Sequence, residues 1–152
     1  MIDKIDRKIL AIIQKNNKTS YAEIGKQVGM AASAIFDRMR KLEKKGVVIG
    51  HEARLDSRAV NISFKSYVYV ELDNTSMVED TAKKLAALDN VLEIHFISGS
   101  DALLLKVVAK DIKEFSDILA KKIAVVSNIK NTSSNIVLET IKETSVLPIS
   151  EN

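Results

Sequence analysis

The sequence predicts an α+β protein in two parts, a helical N-terminal domain followed by an antiparallel sheet that carries two helices. Three observations lead there: short helical periodicities separated by capping residues, a later alternation of strand and helix patterns, and a change of charge between the two regions. Residues 1–61 carry 13 Lys/Arg and 7 Asp/Glu, a net of +6, whereas residues 62–152 carry 10 and 13, a net of −3. Charge acts through where it sits, so the basic half is the candidate polyanion binder.

Composition limits the alternatives. The chain has 152 residues and 46% hydrophobic content, enough for the cores of one or two small domains. It has no cysteine, which excludes disulfides and thiolate metal sites and favours an intracellular setting. Met1-Ile2-Asp3-Lys4 runs straight into an amphipathic pattern without a basic segment and apolar stretch of signal length. No apolar run approaches the roughly 20 residues of a spanning helix. The expectation is a cytoplasmic protein with no membrane partner, no metal and no cofactor.

From Ile5, the residues Ile9, Ile12 and Ile13 recur at helical spacing, with Asp3 and Asp6 where a helix N-terminus favours negative charge. This helix is expected to end near Lys15-Asn16-Asn17. Ser20-Tyr21-Ala22-Glu23 has the spacing of a capping box, and Ile24 and Val28 supply one apolar face before Gly29 stops the second helix. A third helix is predicted from Ala31 to Lys45, closed by Gly46. On it, steps of about 100° per residue align Ile35, Met39 and Leu42, leaving Ser33, Asp37, Arg40, Lys41 and Lys44 roughly opposite. Two short helices joined through a glycine turn, the second basic on its free face, form a helix-turn-helix pattern whose second helix fits a major groove.

Residue chemistry divides the expected contacts. Arg40, Lys41, Lys44 and Lys45 neutralise phosphates and so govern affinity and salt dependence. Ala32, Ser33, Ala34, Asp37 and Arg38 occupy the first two turns, nearest base edges. Arg38 is the leading candidate for a bidentate guanine contact, with a backbone role as the alternative. Asp37 either accepts from a cytosine amino group or holds Arg38 or Lys41 in place. Ser20 and Tyr21, at the start of the second helix, complete the candidate face.

After a strand-like run at Val47-Val48-Ile49 and His51–Leu55, the polar Asp56-Ser57-Arg58 marks a linker. Period-two alternation then places Ile62, Phe64, Val68, Val70 and Leu72 on one side and Lys65, Tyr67, Tyr69 and Glu71 on the other. Ser76-Met77-Val78-Glu79 reads as a second capping box, opening a helix with Val78, Ala82, Leu85 and Leu88 inward. A strand at Val91–Ile97, a turn at Ser98-Gly99-Ser100-Asp101 and a strand at Leu103–Val108 follow. Asp111 opens another helix, with Ile112, Phe115, Leu119 and Ile123 inward, and Ile129–Ile141 closes the chain as a strand. The order strand-helix-strand-strand-helix-strand is that of the ferredoxin-like split βαβ. The predicted domains are residues 1–50, a connector strand and linker at 51–61, and the sheet domain at 62–152. The sheet's second face, bearing Tyr67 and Tyr69, needs a cover, and a second copy of the chain supplies one while placing two recognition helices on one duplex.

The residues at the joints resemble the leucine-responsive and asparagine-responsive regulator family (Lrp/AsnC) over nearly the whole chain. The resemblance is carried by Ile5-Asp6-Arg7-Lys8-Ile9-Leu10, Tyr21-Ala22-Glu23-Ile24-Gly25, the run from Arg38 to Val48, the run from Gly99 to Val107, and the closing Lys142–Pro148. It implies a winged helix-turn-helix joined to an amino-acid-sensing ferredoxin-like domain, dimers that associate into octamers or open assemblies, and DNA wrapped around them. It also implies an effector bound between subunits near the turn joining the second and third strands, here Ser98, Gly99, Ser100, Asp101 and Ala102. Asp101 suits an α-ammonium group and the turn amides a carboxylate. Thr132, Ser133 and Ser134, before the last strand, are expected to add hydroxyls. The chain departs from the family in two places. Ala31-Ala32 replaces the usual Ser-Pro, a lost cap worth about 1 kcal/mol that Ser33 is expected to take over, and Asp101 precedes Ala102 where the family has Asp one position later.

Two other functions fit the same architecture. A tetrapyrrole-decarboxylase-like enzyme needs acid–base groups in a pocket, and the chain offers only His51 and His95. A sensor that no longer binds DNA is hinted at by Ala31 and Asp37 alone. The regulator, and not an enzyme, is the expected function.

Overall fold

A computed structural model describes residues 2–99 and 102–149, and the chain divides into two units. The first holds residues 2–54 together with the returning segment 142–149; the second runs from residue 55 to 141. The sequence boundary between the parts falls close to this division. The last residues, however, belong with the helices rather than with the sheet domain. Gln14 Nε2 donates to the Leu147 carbonyl at 3.3 Å, the Leu147 N–H donates to Gln14 Oε1 at 2.7 Å, and Ile149 packs against the helical core.

The first unit is built on α1 (Lys4–Lys15), α2 (Tyr21–Val28) and α3 (Ala32–Lys44). Asp3 and Asp6 form a reciprocal capping box at α1, so the two acidic residues satisfy orphan amides as well as the helix dipole. Ser20 caps α2 through an Oγ that accepts from the Glu23 N–H at 3.2 Å. Gly29 ends α2 in the left-handed region at φ 74°. The turn then passes so close to α2 that a Cβ on Gly25 would sit 2.4 Å from the Met30 carbonyl oxygen. Only glycine fits there. Ala31 stands at the start of α3 with no side-chain cap, and Ser33 does not replace it because the helix already begins at Ala32. Ile35, Met39 and Leu42 are buried against Ile9, Leu10 and Ile24, as the periodicity predicts.

The segment after α3 differs from expectation. Residues 47–63 form no strand, so the connector lies as irregular chain and turns. Strand formation needs a ladder partner for its backbone groups, and apolar alternation alone does not supply one.

The second unit is a four-stranded antiparallel sheet of β1 (Phe64–Leu72), β2 (Val91–Phe96), β3 (Leu103–Ala109) and β4 (Ile129–Ile136) in the order β2-β3-β1-β4. That is the predicted ferredoxin-like topology. Helices α4 (Val78–Ala86) and α5 (Ile112–Ile118) cover one face, where Leu85, Phe115, Ile118 and Ile123 pack on Val68, Val70, Leu103, Leu105 and Val107. Three local readings change. Ser76 lies in a 3-10 turn at Thr75–Met77 capped by Asn74, so it is not the N-cap of α4. Ile112, the first residue of α5, is 62% exposed, while Ile118 is buried, and the π-helical turn at Leu119–Ile123 then brings Ile123, five residues on, to the same side as Ile118. β4 stops at Ile136 rather than Ile141.

One polar tie joins α1 to α3. The Arg38 guanidinium donates to Asp3 Oδ2 at 2.6 Å and to Asp6 Oδ1 at 2.7 Å. The Asp6 backbone N–H and then Arg38 hold the Asp3 carboxyl below its ordinary 3.8. The two carboxylates in turn raise the Arg38 value further, so the guanidinium stays charged throughout. The first carboxylate titrates lower in the folded chain, so its contribution is complete above pH 3.8 and is lost as pH falls through the folded value. Arg38→Met is therefore expected to lower the melting temperature at neutral pH, with the gap to wild type closing in strong acid; a gap independent of pH would remove the tie from the stability of this unit. Gly25→Ala is expected to destabilise the chain in thermal melts, since the steric conflict with Met30 outweighs the roughly 1 kcal/mol that alanine gains over glycine in a helix.

Candidate nucleic-acid interface and effector turn

Burial of the Ile35, Met39 and Leu42 stripe decides which side of α3 meets solvent. Ala32, Ser33, Phe36, Asp37, Arg40, Lys41, Lys44 and Lys45 are exposed, and Ala34 is half-buried. No ion pair joins Arg40, Lys41, Lys44 or Lys45 to a carboxylate among the described residues; Glu43, the other acid of α3, lies 3.2 Å from His51 Nε2. The four cations are thus available to an external polyanion. Successive outward positions Ser33, Asp37, Arg40 and Lys44 follow the helical repeat along the rod, a length of about 17 Å at 1.5 Å per residue. At the start of α2, Ser20 and Tyr21 are exposed, and Ser20 uses its oxygen for the cap while its hydroxyl proton remains able to donate.

Arg38 is placed otherwise. It sits between the outward face and the core stripe, three-quarters buried, with one nitrogen held by two carboxylates. Any contact of Arg38 with guanine or with the DNA backbone, the two roles expected of it, competes with these two short charged bonds, which tie it to α1. Asp37 does not hold Arg38; Asp3 and Asp6 do. A groove of about 480 Å³ beside this tie is lined by Asp3, Asp6, Ala34, Asp37, Arg38 and Lys41 among others. It is open to solvent and lined wholly by residues of the three helices and the residues beside them.

One exposed residue escaped the sequence reading. Phe36 is 49% exposed and meets the Tyr21 ring edge-on, with centroids 5.9 Å apart and planes at 63°. Its position on the helical wheel, at the flank of the basic arc, was the available signal.

The turn expected to hold an effector joins β2 to β3. The Ile97 N–H donates to the Ala102 carbonyl at 3.0 Å, and the Ala102 N–H donates to the Val70 carbonyl at 3.0 Å. Ala102 is 7% exposed and both its backbone groups are used, so it shapes the turn from beneath. Ser98 and Gly99 are exposed, Gly99 at φ 133° where a side chain is disfavoured. Ser100 and Asp101 lie outside the described residues. Thr132, Ser133 and Ser134 lie inside β4 rather than before it. Thr132 is opposite Val70, itself opposite Leu103, so two strand spacings, roughly 10 Å, separate it from the turn. The pleat sends Thr132 and Ser134 to the helix face with Val70 and Val68, and Ser133 to the other with Tyr69. The three hydroxyls therefore do not converge within one subunit. Ser134 Oγ is buried with no hydrogen-bond partner among the described residues.

That other face carries cross-strand rows. One runs His95, Leu104, Tyr69, Ser133; the next runs Glu93, Lys106, Tyr67, Asn135. Lys106 Nζ donates to Glu93 Oε1 at 2.9 Å, which holds the Glu93 carboxyl below its ordinary range. Tyr67 and Tyr69 are half-buried by these neighbours.

Comparison with known proteins matches two successive regions of the chain. A winged helix-turn-helix DNA-binding domain matches residues 2–49, and the Lrp/AsnC ligand binding domain matches residues 65–147. The chain is 32% identical to the HTH-type transcriptional regulator Ptr1 of Methanocaldococcus jannaschii, over 98% of its own length and 100% of that protein's. It is 30% identical to the regulatory protein AsnC of Haemophilus influenzae, covering 91% of this chain and 92% of the relative. Among solved structures, a Neisseria meningitidis transcriptional regulator in complex with L-methionine superposes with a TM-score of 0.91 at 27% identity, covering 97% of each chain. Escherichia coli AsnC superposes at 0.89 with 26% identity, covering 96% of this chain and 98% of its own. The chain belongs to the Lrp/AsnC family of DNA-binding transcription regulators.

Proposed function

We propose that this regulator lays α3 in the major groove of double-stranded DNA and that an amino acid bound at the Ser98–Ala102 turn modulates it. The observation that carries the DNA reading is the outward row of α3, with four cations that meet no carboxylate among the described residues while Arg38 is held internally. Arg40, Lys41, Lys44 and Lys45 take phosphates, Ser20 and Tyr21 steady the backbone at the neighbouring helix start, and Ala32, Ser33, Ala34 and Asp37 face base edges. Arg38 acts through α1 by fixing the angle of α3.

The effector reading draws on the turn's exposed glycine and on relatives solved with L-methionine, from Neisseria meningitidis and Mycobacterium tuberculosis. Asp101 is assigned the ammonium group and the turn amides the carboxylate. Because Ser133 stands on the sheet face away from the helices, a second subunit packed on that face completes the site. Homodimers joined through the Tyr67 and Tyr69 rows are part of this proposal, and their further assembly toward octamers is what the family resemblance implies. Such a protein works in the cytoplasm and needs no metal or cofactor besides its effector.

Two measurements test this. In gel-shift titrations across salt, log affinity should fall steeply with log salt, and Arg40→Glu with Lys44→Glu should flatten the slope by about 0.9 for each phosphate that is no longer neutralised; an unaltered slope removes these residues from the interface. In calorimetry with L-methionine, Asp101→Ala should weaken binding severalfold while sedimentation still finds dimers; equal affinity excludes the assigned role.

A further inference from the structure

We infer that Phe36 reads a thymine methyl group in the major groove, braced by Tyr21. The inference rests on the proposed docking of α3 and adds a base-reading residue to it. Among the described residues of α3, Phe36 is the only large hydrophobic side chain that is exposed, at 49%. It stands one turn beyond Ser33 and one turn before Arg40, so it projects from the part of the helix that enters the groove first. At 100° per residue it stands at the flank of the basic arc, about 40° from Arg40 and about 80° from Lys44, and an aromatic ring left in water beside those charges gains free energy only when an apolar surface covers it. The major groove offers hydrogen-bond donors and acceptors, which a phenyl ring cannot meet, and one apolar group, the C5 methyl of thymine.

The second observation is the brace. The Tyr21 ring contacts Phe36 edge-on at 5.9 Å, and Tyr21 is fixed in turn at the first position of α2 beside the Ser20 cap. A phenylalanine held on one edge has fewer rotamers to lose on binding than a free one, which suits it to a discriminating contact. The surrounding cations favour nucleic acid as the occupant over an apolar protein surface.

The test uses the full chain and the duplex it selects from a random pool, with each thymine replaced in turn by deoxyuridine, which lacks only the methyl. For the wild type, one thymine in each half-site should weaken binding about fourfold on replacement, the effect of one buried methyl-sized group. Phe36→Ser should bind the two duplexes alike at that position, and Phe36→Leu should restore part of the discrimination; thermal melts establish that both variants fold. Equal thymine-to-uracil ratios for wild type and Phe36→Ser at every position overturn the inference, as does a smaller assembly for Phe36→Ser with its ratios unchanged, which would place the ring between protein copies. Duplex binding whose salt slope survives Arg40→Glu with Lys44→Glu overturns the docking of α3 itself, and the inference with it.

Discussion

Burial of one apolar stripe on α3 governs the binding half of this protein. Ile35, Met39 and Leu42 have essentially no exposure, and Ile9, Leu10 and Ile24 surround them. A helix of 13 residues has only one face left once its stripe is sealed. The rotation of α3 about its axis is therefore set by hydrophobic packing, and the chemistry of its outer side follows from residues that contribute little to the core. The α2–α3 turn adds to the constraint, because Gly25 and Met30 touch where no side chain fits.

Electrostatics then sorts the cations into two kinds. Arg38 lies at the border of the buried stripe, within reach of the carboxylates that cap α1, and becomes part of the scaffold. Arg40, Lys41, Lys44 and Lys45 lie further round and meet no carboxylate among the described residues. The same residue type, two positions apart on one helix, is thus tied into the fold in one case and left to solvent in the other. What separates them is about 200° of helical rotation.

In the sheet domain the pleat performs the corresponding sorting. Adjacent hydroxyls of β4 fall on opposite faces, so a cluster that looks continuous in sequence is divided by geometry. Ser134 faces the helix-covered core without a partner among the described residues, whereas Ser133 stands in a row with Tyr69.

Periodicity and capping in the sequence determined the three helices, the strand order and the inward residues of β1, because 3.6- and 2-residue repeats encode the buried face directly. They also determined that the cations Arg40, Lys41 and Lys44 face outward. Only the tertiary structure decided what Arg38 binds, since Asp3 and Asp6 lie more than thirty residues away in the chain. It likewise decided that the connector forms no strand, that Ile118 replaces Ile112 in the core, that residues 142–149 return to the helices, and that Phe36 rests on Tyr21. Each of these depends on whether a partner distant in sequence is met, and a linear repeat carries no record of that.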